Sequence, residues 1–190
     1  METVSCIVLA AGRSSRMGLW KPLLPFRGST IIQTVLTAAS SVCERLIVVT
    51  GYRGAELETV LRQGQRVTVT ANLGWETGMF SSIQRGMSCV DTDRFFIVLA
   101  DKPFIRPEVY VSLLHAEHAD ALFPVFDGER GHPVLLSNSV RKAVLAADPT
   151  TGSMRSLLSG FHVEEIPWSD DSILRDIDTR EQYNDAVGRS

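Results

Sequence analysis

The chain has 190 residues, of which 44% are hydrophobic and 22% charged, and its formal net charge is −3. That length suits one substantial domain, so residues 1–190 are read as a single unit. The weak net charge gives no reason to expect a nucleic-acid or membrane partner, so any basic site must be local.

Short apolar runs and amphipathic runs then alternate along the chain. "SCIVLA" is short and wholly apolar, as a buried parallel strand is. "STIIQTVLTAASS" reads as a helix capped by Ser29 or Thr30. "RLIVVTG" is a second buried strand, and "GAELETVLRQG" an amphipathic helix stopping at Gly64. "RVTVTAN" alternates like an edge or half-exposed strand. "FSSIQRGMSCV" is helical, "RFFIVLAD" a strand, and Pro107 opens the helix "PEVYVSLLHAEH". "DALFPVF" and "GHPVLL" follow as strands, with "NSVRKAVLAAD" as a helix. "HVEEIP" is a weak strand. "SDDSILRDID" reads as a surface loop leading into a last short strand, and Thr179 with Gln182 has capping-box spacing for a final helix.

Strand–helix alternation of this kind predicts an α/β fold, a three-layer α/β/α Rossmann-like arrangement around a mostly parallel sheet. Three strands end in polar turns, at Gly12, Gly51 and Asp101, and such turns converge where open α/β sheets bind ligands. No segment approaches bilayer length, and Glu2 with the brief run "CIVLAA" does not make a signal peptide. Cys6, Cys43 and Cys89 form no CxxC pair and lie in apolar patterns, which predicts buried thiols and a reducing cytoplasm.

The turn after the first strand, "VLAAGRSSRMGLWKPLL", leaves the core and at once displays glycines, serines and cations. It is not a P-loop. Gly18 comes six residues after Gly12, and Pro22 rather than Ser or Thr follows Lys21. Nor is it a dinucleotide fingerprint, because the second glycine is missing. Glycine lets backbone N–H groups approach oxygens, while Arg16 and Lys21 supply charge, so the loop suits a triphosphate. A solvated turn with surface arginines fits the composition equally well. Asp101, at the mouth of the crevice, suits Mg²⁺ or a helix cap. Asp176 and Asp178, two apart, face one side of an extended segment and could complete a metal site, although Asp178 could equally serve the following cap.

"LAAGRSSRMGLWK" resembles the signature L-A-(A or G)-G-x-S-x-R-M-G-x-x-K of the MobA-like nucleotidyltransferases. The resemblance continues through "NLGWETGMFSSIQRG", "LADKPFI", "RGHPVLL" and "DIDTREQY". It spans nearly the whole chain and points to the branch of molybdenum cofactor cytidylyltransferases. It implies transfer of CMP from CTP to a molybdopterin-type phosphomonoester, with Mg²⁺ as cofactor and pyrophosphate as product. It further implies a nucleotide site of Leu9, Ala10, Ala11, Gly12, Arg13, Ser14, Lys21, Asn72, Gly78, Ser81, Ser82 and Asp101, with Arg16, Lys21 and Asp101 catalytic. Asp101, Asp176 and Asp178 would hold the metal. Lys102, His132 and Arg155 would face the acceptor, and a molybdoenzyme is the implied protein partner. In this family Ala11 accompanies cytidine where glycine accompanies guanosine. Lys102 departs from the usual glutamine or methionine, and Thr150-Thr151 replaces a Gly-Asp pair near the acceptor. Two other readings stay open: transfer to a sugar, polyol or choline phosphate, and a non-catalytic chaperone that binds nucleotide or cofactor.

Overall fold

A computed structural model describes residues 3–61 and 67–188, with Arg16 described by its backbone alone. Ten strands and seven helices run through these residues: β1 Ser5–Ala10, β2 Pro25–Phe26, β3 Ser29–Thr30, α1 Ile31–Ser40, β4 Arg45–Thr50, α2 Gly54–Leu61, β5 Val67–Ala71, α3 Met79–Met87, β6 Arg94–Leu99, α4 Pro107–His115, β7 Ala121–Phe126, β8 Glu129–Arg130, β9 Val134–Ser137, α5 Asn138–Ala146, α6 Met154–Leu158, β10 Val163–Pro167 and α7 Arg180–Gly188.

The main sheet has the order β10-β7-β9-β6-β1-β4-β5, with β8 paired to β7. β1 lies parallel between β4 and β6, and every residue of it is buried. That is why its sequence is apolar without alternation. Its side chains still divide by parity. Cys6, Val8 and Ala10 pack with α1, α2 and α4 through Val35, Leu36, Leu57, Val109 and Tyr110. Ile7 and Leu9 pack on the other face with α3, α5 and α6 through Ile83, Met87, Val140 and Leu158. The result is the three-layer α/β/α arrangement with a mostly parallel sheet that the sequence predicts. Gly86 brings α3 close to this sheet: a Cβ there would fall 2.5 Å from Ile7 Cγ2 and 2.9 Å from Val49 Cγ2.

Local signals explain most boundaries. Thr30 caps α1, its hydroxyl accepting from Gln33 N at 3.3 Å. Thr179 and Gln182 form the reciprocal capping box at α7, with bonds of 3.2 and 2.8 Å. β5 is an edge strand, as its alternation predicts, with β10 at the opposite edge. The predicted stop of α2 at Gly64 and the start of the next strand at Arg66 lie outside the described residues.

Two expectations need correction, and one feature has no counterpart in the sequence reading. "RDID" forms no strand: Asp171–Ile173 is a single 3-10 turn, and Ile177 N donates to Asp101 O at 3.0 Å as an isolated link. Cys6 and Cys43 are buried, but Cys89 is only half-buried. Two short hairpins, β2–β3 and β7–β8, were not foreseen; each turns on two residues of positive φ, Arg27-Gly28 and Asp127-Gly128. Among the described residues no helix is long and apolar enough to cross a membrane.

Candidate active site

The bend after β1 turns sharply because Ser14 (φ 57°) and Gly18 (φ 68°) adopt left-handed backbone. Ser14 Oγ accepts from Lys21 N at 3.2 Å, which ties the two ends of the bend together. Ala11 O accepts from Tyr52 N at 3.0 Å and anchors the bend to the end of β4. Gly51 permits this approach: a Cβ there would fall 2.7 Å from Trp75 Cβ and 2.8 Å from Ala11 O.

A cavity of about 400 Å³ opens under the bend. Leu9, Ala10, Ala11, Gly12, Arg13, Ser14, Lys21, Gly78, Ser82, Asp101 and Asp178 line it, as do Trp75, Glu76 and Met79, which the sequence did not single out. The signal that could have found Trp75 and Glu76 is the pair Gly74 and Gly78 flanking them, Gly78 taking a backbone conformation (φ 122°) that other residues rarely adopt; Met79 follows directly. Asn72 and Ser81 stand behind this wall. Asn72 Nδ2 donates to Ser81 Oγ at 2.9 Å and Ser82 Oγ at 3.0 Å, and its Oδ1 accepts from Gly74 N at 3.0 Å. It therefore shapes the connection that delivers Gly78 and the N-terminus of α3, with its positive dipole end, to the cavity. The Arg13 guanidinium lies 5.5 Å over Tyr52, whose ring meets Trp75 edge-on at 5.9 Å. The Arg16 side chain is outside the described residues.

Three charges meet inside this cavity. Lys21 Nζ donates to Asp101 Oδ2 at 2.6 Å and to Asp178 Oδ1 at 2.8 Å. Burial pulls the lysine pKa down, but the two carboxylates outweigh it and the net shift is upward. Lys21 is thus an ammonium at every physiological pH. Asp101 Oδ1 is buried without a hydrogen-bond partner among the described residues.

Beside this group Lys102 is buried, its Nζ donating to Leu174 O at 2.7 Å. Burial lowers its pKa, and the Asp176, Asp101 and Asp178 charges only partly offset that. The Asp176 carboxyl is raised, first by burial and then by the Asp178 charge. Asp176 and Asp178 do not share a wall: Asp178 lines the first cavity, whereas Asp176 lines a separate polar one of about 570 Å³ with Arg27, Phe104 and Arg175.

β9 runs antiparallel to β6, and Val134 pairs with Ile97. This register brings His132 to the carboxyl end of β6, where its Nδ1 lies 3.4 Å from Ile97 O. Burial and the nearby Lys102 ammonium hold its pKa down to about 4, so the ring is neutral at pH 7. His132 lines a third cavity of about 370 Å³, together with Phe80, Phe123, Arg130, Gly152 and Met154. Met79 belongs to the first and third cavities alike, so the two adjoin. Arg155 sits on α6 with its side chain exposed, while its neighbours Ser153 and Met154 line the third cavity.

Asp101 and Asp178 present hard oxygen donors, and the unpartnered Oδ1 of Asp101 has capacity to spare; this suits a Mg²⁺-type ion. Among the described residues no group of three or more Asp, Glu, His or Cys side chains could chelate a metal unaided. An ion bound here would therefore draw most of its ligands from a substrate and from water.

This geometry agrees with what the chain resembles. Residues 6–166 match the family model of the MobA-like NTP transferase domain. The chain is 31% identical over 189 residues to the molybdenum cofactor cytidylyltransferase of Escherichia coli, covering 100% of this chain and 98% of that one. It is 29% identical to a probable molybdenum cofactor guanylyltransferase of Bacillus cereus, covering 93% and 92%. A solved nucleotidyl transferase from Methanothermobacter thermautotroptrophicus superposes with a TM-score of 0.83 at 25% identity, over 98% of this chain and 97% of that one. The chain belongs to the MobA-like NTP transferase family and is a nucleotidyltransferase akin to the molybdenum cofactor cytidylyl- and guanylyltransferases.

Proposed function

We propose that this enzyme transfers CMP from CTP to the terminal phosphate of a molybdopterin-type cofactor, releases pyrophosphate, and requires Mg²⁺. An acceptor phosphate oxygen forms the new bond to the α-phosphorus, and the bond from that phosphorus to the bridging oxygen of pyrophosphate breaks. Both partners are anions, so the protein's tasks are alignment and charge compensation rather than covalent catalysis. Bound Mg²⁺ supplies a Lewis acid that holds phosphate oxygens and neutralises the leaving group.

The observation that carries this reading is the placement of Lys21, Asp101 and Asp178 together under the glycine-containing bend. In this account Gly12, Arg13 and Ser14 offer donors to the triphosphate, and Lys21 offers a full positive charge where pyrophosphate departs. Arg16 joins them on the strength of the motif alone. Asp101 and Asp178 hold the metal, with Asp176 adding charge from behind. Ala10, Ala11, Gly78 and Ser82 surround the nucleoside, with Asn72 and Ser81 bracing them. The acceptor takes the third cavity, whose largely apolar and aromatic wall suits a flat heterocycle better than a polyol or choline phosphate. His132, being uncharged, donates or accepts a hydrogen bond there without adding charge, while Arg130 supplies a cation at the rim. Lys102 sets the local field, and Arg155 meets the acceptor from outside. The chain works in the cytoplasm and delivers its product to a molybdoenzyme.

A pyrophosphate-release assay with each NTP, with and without molybdopterin cofactor and Mg²⁺, tests the proposal. Release with CTP that depends on both acceptor and metal is expected. Preference for GTP would assign the enzyme to guanylyl transfer, and release with a simple sugar phosphate in place of the cofactor would refute the acceptor.

A further inference from the structure

The lysine that should meet the triphosphate is already engaged by the carboxylates that should meet the metal. Lys21 Nζ lies 2.6 Å from Asp101 Oδ2 and 2.8 Å from Asp178 Oδ1. The three side chains are only 10%, 23% and 16% exposed, so their attraction is screened far less than a surface pair's. Two carboxylates this close repel each other unless a cation lies between them, and in this structure the cation is the ammonium of Lys21.

The backbone around the site is anchored by hydrogen bonds of its own, whereas the lysine arm is held at its tip by the two carboxylates. Lys21 N is bonded to Ser14 Oγ and Lys21 O to Leu24 N at 3.0 Å, and Pro22 follows. Asp101 O accepts from Ile177 N, which stands next to Asp178 and holds the two carboxylates in register. Between these anchors runs a four-carbon stem able to swing.

Resting on the nucleotidyl-transfer reading, we infer that Lys21 is the resting occupant of the divalent-cation site, a latch that polyphosphate opens. A metal ion cannot take Asp101 Oδ2 and Asp178 Oδ1 while the ammonium holds both. A triphosphate offers Lys21 another anion; the carboxylates it leaves, together with phosphate oxygens, then suit the metal. Metal alone binds weakly, and polyphosphate and metal raise each other's affinity by the same factor. The nucleobase takes no part in the exchange, so inorganic triphosphate opens the latch as CTP does.

The test is Mn²⁺ binding to the nucleotide-free full chain, measured by electron paramagnetic resonance for wild type, Lys21→Met and Lys102→Met. The latch predicts that Lys21→Met binds Mn²⁺ about tenfold tighter than wild type or better. Lys102→Met removes an equally buried charge that is bonded to neither carboxylate, so it reports the field alone and should raise the affinity clearly less than Lys21→Met does. Equal gains in the two variants would mean general charge repulsion and overturn the latch, as would no gain in Lys21→Met. Thermal melting of the wild type adds a check that does not depend on either variant folding. Mn²⁺ alone should leave Tm nearly unchanged, while Mn²⁺ with inorganic triphosphate raises it beyond triphosphate alone. A full rise with Mn²⁺ alone would overturn the latch. Absence of CTP-dependent pyrophosphate release in the wild type is the separate result that would refute the reading beneath it.

Discussion

The first and third cavities adjoin at Met79, yet they are made in opposite ways. The first is assembled from strand ends and backbone bends, and its chemistry is a compact set of charges: Lys21, Asp101 and Asp178, with Lys102 and Asp176 close behind. The third is framed by β6, β7, β9, α3 and α6, and is walled mainly by side chains such as Phe80, Ile83, Phe123 and Met154. In the proposed function, the backbone and charge of the first would recognise what every nucleoside triphosphate shares. Side-chain volume recognises shape. A fold that separates the two can keep one reaction and change its acceptor by altering one half of the sheet.

The sharpest way to break this comparison is to remove a charge from the first cavity. Asp101→Asn keeps the side-chain shape but removes a carboxylate partner of Lys21 and, in the proposed function, a metal ligand. Pyrophosphate release should fall on the order of 10²–10⁴-fold with little change in circular dichroism. Near-wild-type turnover would remove Asp101 from the chemistry.

Two glycine substitutions separate the cavities. Gly51→Ala drives a methyl group into Trp75 and Ala11 O, and should raise the KM for CTP about tenfold while sparing the acceptor. Gly152→Ala places a methyl group 2.7 Å from Asp148 O and against the Phe80 ring, and should raise the KM for the acceptor by a similar, roughly tenfold, factor while sparing CTP. If both variants shift the same KM, the division of labour is wrong. Ala11→Gly, which removes a methyl group from the wall of the first cavity, should move the CTP-to-GTP ratio of kcat/KM by about tenfold toward GTP.

The smallest effect concerns His132. Its folded pKa lies near 4, below the ordinary value of 6.5, so between those limits the unfolded chain binds the extra proton. Stability is therefore full above about pH 6.5 and falls as pH drops toward 4. His132→Gln should flatten the dependence of Tm on pH in that window and leave it unchanged above pH 7. Unaltered acid sensitivity would show that His132 is not held neutral by its surroundings.

The parts of this arrangement that were legible in the sequence are those encoded by neighbours in the chain. β1, β4 and β6 announce themselves as unbroken apolar runs because the strands are buried on both faces. Thr30 and the Thr179–Gln182 pair mark helix starts through bonds only three residues long. The glycines, serines and cations between Gly12 and Lys21 mark the bend that roofs the first cavity. What escaped notice depends on contacts between distant segments. Trp75 and Glu76 line the first cavity where Trp75 packs against Gly51, a glycine that leaves room for both Trp75 and Ala11 O. Their spacing puts Asp176 and Asp178 on one side of an extended segment. Ile177 instead bonds directly to Asp101 O, Asp178 meets Lys21, and Asp176 is left to another cavity. The pairing of Lys21 with both carboxylates spans most of the chain and has no local signature.

A crystal structure with CTP and Mg²⁺ tests the central claim most directly. The account predicts the triphosphate under the bend from Gly12 to Gly18, a cation held by Asp101 and Asp178, and Lys21 Nζ moved onto a phosphate oxygen. A nucleotide bound elsewhere, or a Lys21 still bridging the two carboxylates with CTP in place, would contradict it.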